Sequence, residues 1–308
     1  MASLWLINRK KGVNMDILEK VRALEEKALE KKKPKSKTIK PTAEIIELPI
    51  WPEAIRGFPN VIARSALFNA RRQNTPRDFV DKMPVSSIAG VDINYTGREL
   101  RQDDQTVLMQ LIHLTQHQPF IESVQFTPYS FLKSIGWSTS GQQRYDKLFT
   151  IIDRMSVTGI HIESKGMFYV GSLIRKIGCI DKETGERLRI WTVWLEPEII
   201  ALFKSDGYCH IAWDQRIALK KPLAQWLQAY YATHKDPYPI KIETIRDLSG
   251  SKAVLLKKFK QTLKSALDEL VTVGFLKSYT ITKTGLVHVK RKGKSDKQAT
   301  TDFLGTDY

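Results

Sequence analysis

Cysteine is nearly absent: Cys179 and Cys209 are the two in 308 residues. Small secreted scaffolds carry more, so this usage points to a reducing, cytoplasmic setting. Long apolar runs are missing as well. The opening Ser3-Leu4-Trp5-Leu6-Ile7 is too short to span a bilayer and lacks the basic leader and small-residue cleavage site of a signal peptide. The Lys-rich amino terminus offers a membrane surface only the thin stripe Ile17, Leu18, Val21, Leu24 and Leu29, so no membrane partner is expected. Acidic residues are the third shortage. Asp and Glu number 33 against 49 Lys and Arg, a net charge of +16, which calls for an anionic partner.

Motifs of catalysis are wanting too. Gly136-Trp137-Ser138-Thr139-Ser140-Gly141 has the glycine spacing of a P-loop, but Gln142-Gln143 stands where Lys-Ser or Lys-Thr must hold phosphates and magnesium. His113 and His117 are four apart on a helical stretch, with no Glu after the first and no cysteine pair nearby, and read as partly exposed polar positions. None of the six histidines forms the His-hydrophobe-His site of a nicking initiator. Glu196 and Glu198 flank Pro197 as at a helix start, not as an acid and base pair. The expectation is a protein that is not an enzyme and needs no metal or cofactor.

What is there is charge, unevenly placed. Residues 1–40 hold 12 basic and 5 acidic side chains and residues 250–294 hold 11 and 2, whereas 41–249 are nearly balanced at +2. An excess concentrated in a folded stretch suggests a docking face. Length and an apolar fraction of 42% favour two domains, each able to bury a core. The boundaries expected are a basic, flexible segment 1–44, a first domain 45–213, a second 214–294 and a tail 295–308.

The pattern of elements is α+β and reads as tandem winged-helix domains. In the first, a helix from Asp104 to Gln116 precedes a strand from Ser123 to Thr127. A short helix, Pro128 to Ile135, turns at Gly136-Trp137-Ser138 into a longer one, Ser140 to about Val157. Gly159–Glu163, Ser172–Ile180 and Arg187–Leu195 are candidate wing strands. The second half repeats the order: a helix Pro222–Thr233, a short extended Ile240-Lys241-Ile242, a helix Glu243–Leu248, a turn at Gly250-Ser251, a helix Lys252–Val273, and strands Phe275–Thr282 and Leu286–Arg291. The repetition is one of pattern, without residue-level identity.

At 100° per residue, Leu256, Phe259, Leu263, Leu267 and Leu270 form one side of the last long helix, and Lys257, Lys258, Gln261, Lys264 and Ser265 the other. A helix that reads the major groove needs that division. Gly250-Ser251 at its start is expected to offer free backbone N–H groups to a phosphate, and Ser251 and Lys252 are candidates for DNA contact. A solvated lysine face is the plainer alternative. The matching helix of the first unit puts Leu148, Ile152 and Met155 inside and Gln143, Lys147, Thr150 and Arg154 outward, with Asp146 beside them weakening the signal. Lys165 in the loop Glu163–Gly166, and the strand end Lys290-Arg291-Lys292, are candidates for backbone contact.

Several separated, ordered segments carry a family likeness: Ala63-Arg64-Ser65-Ala66-Leu67-Phe68, Tyr95-Thr96-Gly97-Arg98-Glu99-Leu100-Arg101 with Asp103-Asp104, Gly136-Trp137-Ser138, His234, Pro237-Tyr238-Pro239, Lys241, Glu243-Thr244 and Gly250-Ser251. With these, from about Trp51 to His288, the chain resembles the TrfA-type replication initiators of broad-host-range plasmids. The resemblance implies two winged-helix domains that bind repeated origin sites called iterons in double-stranded DNA. It also implies opening of the adjacent AT-rich duplex and recruitment of the host replicative helicase with the host chromosomal initiator. Monomers are implied to be active, and homodimers joined through the first domain inactive. The family's Gln-Leu-x-Leu-Phe clamp-binding motif is replaced here by Glu44-Ile45-Ile46-Glu47-Leu48, which argues against a sliding-clamp contact. A transcriptional regulator or autorepressor of the same fold is the alternative reading.

Overall fold

The computed structural model describes residues 50–88, 90–116, 123–164, 167–181, 183–205 and 207–292. The segment 1–44, the replaced clamp motif at 44–48, His117, Lys165 and the tail 295–308 lie outside the described residues. In chain order the described elements are β1 (Ile55–Pro59), α1 (Asn60–Ala63), β2 (Phe68–Asn69), β3 (Phe79–Val85), β4 (Val91–Arg98), β5 (Leu100–Arg101), α2 (Gln102–Thr115) and β6 (Ser123–Phe126). There follow α3 (Pro128–Ser134), α4 (Gln142–Ser156), β7 (Gly159–Ser164), β8 (Met167–Gly171), β9 (Ile174–Ile180) and β10 (Arg187–Leu195). The chain continues through α5 (Pro197–Ser205), β11 (Tyr208–Ala212), α6 (Trp213–Ala218), α7 (Pro222–Ala232), β12 (Ile240–Lys241), α8 (Ile242–Leu248), α9 (Leu256–Thr272), β13 (Leu276–Ile281) and β14 (Leu286–Arg291). The class is α+β, as expected.

The two halves share one sheet topology. In the first, the short strand β6 pairs with β10, and β10 with β9; in the second, the short strand β12 pairs with β14, and β14 with β13. Each sheet thus sits beside a short helix, a turn and a long helix: α3 and α4 in one case, α8 and α9 in the other. One expectation is corrected here. Gly159–Glu163 is not part of the first three-stranded sheet, because β7 pairs with β4 and β8 in a separate four-stranded sheet, β3-β4-β7-β8. The hairpin beside α4 is therefore β9–β10, whereas β7 and β8, which flank Lys165 in sequence, belong to the other sheet.

Buried apolar side chains form two clusters, one drawn from Trp51–Trp213 with Ala229 and one from Leu219–Val289. At their junction α6 carries Arg216, wholly buried. Its guanidinium donates to Gln102 O (3.1 Å), Gln102 Oε1 (3.0 Å), Gln105 Oε1 (3.2 Å) and Thr106 Oγ1 (3.0 Å) on α2, and to Gln225 O (2.8 Å) on α7. No carboxylate is among these acceptors, and burial pulls its pKa down to about 9.

Among the described residues no helix is long and apolar enough to cross a membrane, and no group of His, Cys, Asp and Glu is placed to hold a metal ion. Cys179 and Cys209 are free and buried, the latter with its thiol pushed up to about 12 by burial. His113 is also buried, not partly exposed: Trp51 Nε1 donates to its Nδ1 (3.0 Å) and its Nε2 lies 2.7 Å from Glu53 Oε2. Glu196-Pro197-Glu198 does begin a helix, α5.

Candidate nucleic-acid interface

α9 is amphipathic in the way its sequence requires. Phe259, Leu263, Ala266, Leu267 and Leu270 are buried against the second core, and Leu256 packs half-buried at its edge. Lys257, Lys258, Gln261 and Lys264 are exposed, and among the described residues no carboxylate pairs with them. The two acids of the helix are committed at its far end: Asp268 accepts from Tyr279 Oη (2.6 Å) and Glu269 from the Lys220 N–H (2.5 Å). The face is therefore cationic without internal neutralisation.

The helix starts later than its sequence suggests. Residues 251–255 are not helical, and Leu255 is the extended N-cap. The cause lies in how α8 ends. Gly250 takes φ +63°, its N–H donates to Asp247 O (3.0 Å), and Ser251 N–H donates to Arg246 O (3.0 Å), a Schellman ending that leads the chain out of the helix. Those N–H groups are consumed, so Gly250-Ser251 does not present the phosphate cradle expected of it. The late start leaves Val254 and Leu255 90% and 66% exposed at the head of the lysine face. Sequence reasoning placed them inside a helix and missed them; an apolar pair with no place on the core stripe was the available signal.

The same ending closes α3. Gly136, at φ +69°, donates to Lys133 O (3.1 Å), and Trp137 N–H to Leu132 O (2.9 Å). Both turns are also close approaches: a Cβ on Gly136 would lie 2.2 Å from Ile217 Cγ2, and one on Gly250 2.7 Å from Asn69 Cβ. α4 then buries Leu148, Ile151, Ile152 and Met155 and exposes Gln143 and Thr150. Asp146, which weakened this face on paper, is paired with Arg187 of β10 at 2.8 Å.

Four of the cations assigned to this surface are turned to internal work. Arg154, expected outward, is 11% exposed and ion-paired with the fully buried Asp104. Lys147 is half-buried over the Trp137 ring (4.2 Å), with its Nζ 3.7 Å from Asp103 and donating to Gln73 Oε1 (3.2 Å); desolvation lowers its pKa. Lys252 spans Asp78 (2.6 Å) and Glu99 (3.3 Å), the first of which raises its pKa. Arg291 lies over Phe275 and donates to His234 O (2.7 Å), burial lowering its pKa, while Lys290 and Lys292 stay exposed.

The first three belong to one network that no periodicity announces. Arg71, Arg77, Arg101, Lys147, Arg154 and Lys252 share the carboxylates of Asp78, Glu99, Asp103 and Asp104. Arg77 joins Asp103 (2.8 Å) and Asp104 (2.7 Å) with its two terminal nitrogens. Burial, with Asp103 adjacent, pushes Asp104 up to about 6, whereas Arg77 and Lys147 outweigh burial at Asp103 and hold it below the usual carboxylate range. The network puts no uncompensated negative charge beside the two turns.

Comparison with known proteins places the chain. A family model described as TrfA protein matches residues 9–291. The chain belongs to the TrfA family. A curated relative, the plasmid replication initiator protein TrfA of Escherichia coli, is 31% identical over 251 residues, which are 80% of this chain and 64% of the relative. The chain thus spans a little under two thirds of that relative's length. Two crystal structures of domains 2 and 3 of RctB, one a selenomethionine derivative, align with a TM-score of 0.50 at 15% and 14% identity. They cover 73% and 78% of this chain and 95% and 99% of theirs, a likeness of fold. In this TrfA-family chain the segment Tyr95–Arg101 with Asp103-Asp104 supplies the end of β4, β5, the start of α2 and three carboxylates of the ion network.

Proposed function

We propose that the chain initiates plasmid replication by binding iteron repeats in double-stranded origin DNA, through two winged-helix domains at 45–213 and 214–294. α4 and α9 are the recognition helices and β9–β10 and β13–β14 the wings, entering successive major grooves about one helical turn (~34 Å) apart. The observation that carries the reading is α9, with its apolar stripe buried and Lys257, Lys258, Gln261 and Lys264 free on the opposite side. Membership of the TrfA family and the repeated sheet order support it.

In this reading the exposed lysines, with Lys290 and Lys292, bind phosphates, and Gln261 discriminates bases. Gln143 and Thr150 are the equivalents left exposed on α4. Lys147, Arg154, Lys252 and Arg291 hold the surface in shape. The chain makes and breaks no bond: it opens the adjacent AT-rich region in the cell interior and recruits host replicative helicase and chromosomal initiator, with a homodimer through the first domain as the inactive form.

The test is transformation with a plasmid whose origin is present and whose own copy of this gene is deleted, the chain being supplied in trans. Stable transformants are expected. Occupancy of the origin duplex without replication would instead make the chain a transcriptional regulator.

A further inference from the structure

The segment from β2 to β3 holds Arg71, Arg72 and Arg77, and the structure uses them differently. Arg71 turns to Glu99 and Asp78, and Arg77 to Asp103 and Asp104. Arg72 is exposed, and among the described residues nothing accepts from its guanidinium. Gln73, Asn74 and Thr75 after it are exposed too.

The backbone beneath these side chains is fixed. Arg101, wholly buried, donates Nη1 to the carbonyls of Arg72 (2.5 Å) and Thr75 (2.8 Å), and Nη2 to the carbonyl of Pro76 (2.6 Å) and to Glu99 Oε2 (3.2 Å). Thr75 Oγ1 closes the turn onto Arg72 O at 2.8 Å. A loop whose carbonyls are gathered on one cation is ordered before any ligand arrives, so a contact made by its side chains loses little to ordering.

Its location is equally defined. On one flank Gln73 meets Lys147 of α4, and on the other Asp78 meets Lys252 just ahead of α9. The loop therefore bridges the two candidate recognition helices. The carboxylates nearest it, Asp78, Glu99, Asp103 and Asp104, are each matched by a cation, so an approaching phosphate meets no free negative charge.

We propose that loop Arg72–Thr75 is a third DNA-contacting element, in which Arg72 binds a phosphate of the duplex backbone between the two stretches of major groove filled by α4 and α9. The inference rests on the chain being a duplex-DNA-binding protein.

Binding of the full chain would be titrated against salt on two fluorescein-labelled duplexes, one carrying adjacent repeats of the cognate origin and one scrambled. Arg72→Ala is expected to bind both roughly three- to tenfold more weakly, with a salt slope shallower by about 0.9, one phosphate's share; Arg72→Lys keeps the slope. An iron chelate attached at Asn74→Cys should cut the backbone between the two protected stretches. Wild-type affinity and slope in Arg72→Ala, or cuts confined to the flanks, would overturn the loop contact. Equal binding of both duplexes by the wild type would instead remove the iteron reading, and the effect of Arg72→Ala on the scrambled duplex would still decide the loop.

Discussion

Arg154 separates a structural cation from a DNA-binding one, and Arg154→Met tests which it is. The side chain is 11% exposed and its partner Asp104 is fully buried, so the substitution strips a counter-charge from a carboxylate that water does not reach. Breaking a buried pair in this way costs about 3–5 kcal/mol. Asp104 keeps Arg77 at 2.7 Å and the Arg101 N–H at 2.7 Å, which brings the expectation down to about 2–3 kcal/mol. For a folded unit of this size that is a drop of roughly 5–10 °C in Tm, read by calorimetry. Asp104 titrates at about 6 when folded against 3.8 as its ordinary value, so its ionisation weakens the fold as pH rises between those values, and Arg154 offsets that cost. The deficit of the variant is therefore larger near about pH 8 than near about pH 5, where Asp104 carries its proton. Adding Asp104→Asn should restore part of the loss. An unchanged Tm with a flattened salt slope for DNA binding would refute the reasoning and return Arg154 to the DNA surface.

Three further outcomes are expected. Lys257→Ala with Lys258→Ala leaves Tm within about 1 °C and lowers the slope of log affinity against log salt by about 1.8, two phosphates' worth; an unchanged slope removes α9 from the interface. Gln261→Ala reduces the preference for origin over scrambled duplex more than it reduces affinity for the scrambled one, by competition titration. Gly250→Ala meets both the positive φ and the 2.7 Å approach to Asn69, and should cost about 2–4 kcal/mol in denaturant unfolding; a loss under about 1 kcal/mol would mean the turn relaxes freely.

The parts of the fold legible beforehand are those whose cause is local. The stripe of α9 follows from spacing alone, and β14 spans Leu286–Arg291 as its alternation indicates. β3 was not legible, because its run Phe79–Pro84 is exposed except for the half-buried Val80 and has no buried alternation to betray a strand. β7 has the composition of a wing strand, but sheet membership depends on β4, some 65 residues earlier in the chain. The site follows the same division. Lys257 and Lys258 were assigned from periodicity, which holds for a helix with a core on one side. The ion pairs of Arg154 and Lys252 were not legible, because spacing along the chain has no knowledge of Asp104, Asp78 or Glu99, acids that only the tertiary fold brings up to them.

Arg216 bears on how any of the titrations above can be read. The guanidinium that joins α2 to α7 is sealed from water and leans on amide, hydroxyl and carbonyl oxygens, none of which a dissolved ion can compete for or screen. Raising salt therefore leaves this joint as it was, whereas the Lys252–Asp78 pair, exposed on both partners, is open to screening. A binding slope measured on this protein thus holds that surface pair beside the contacts to DNA, and nothing from the Arg216 joint.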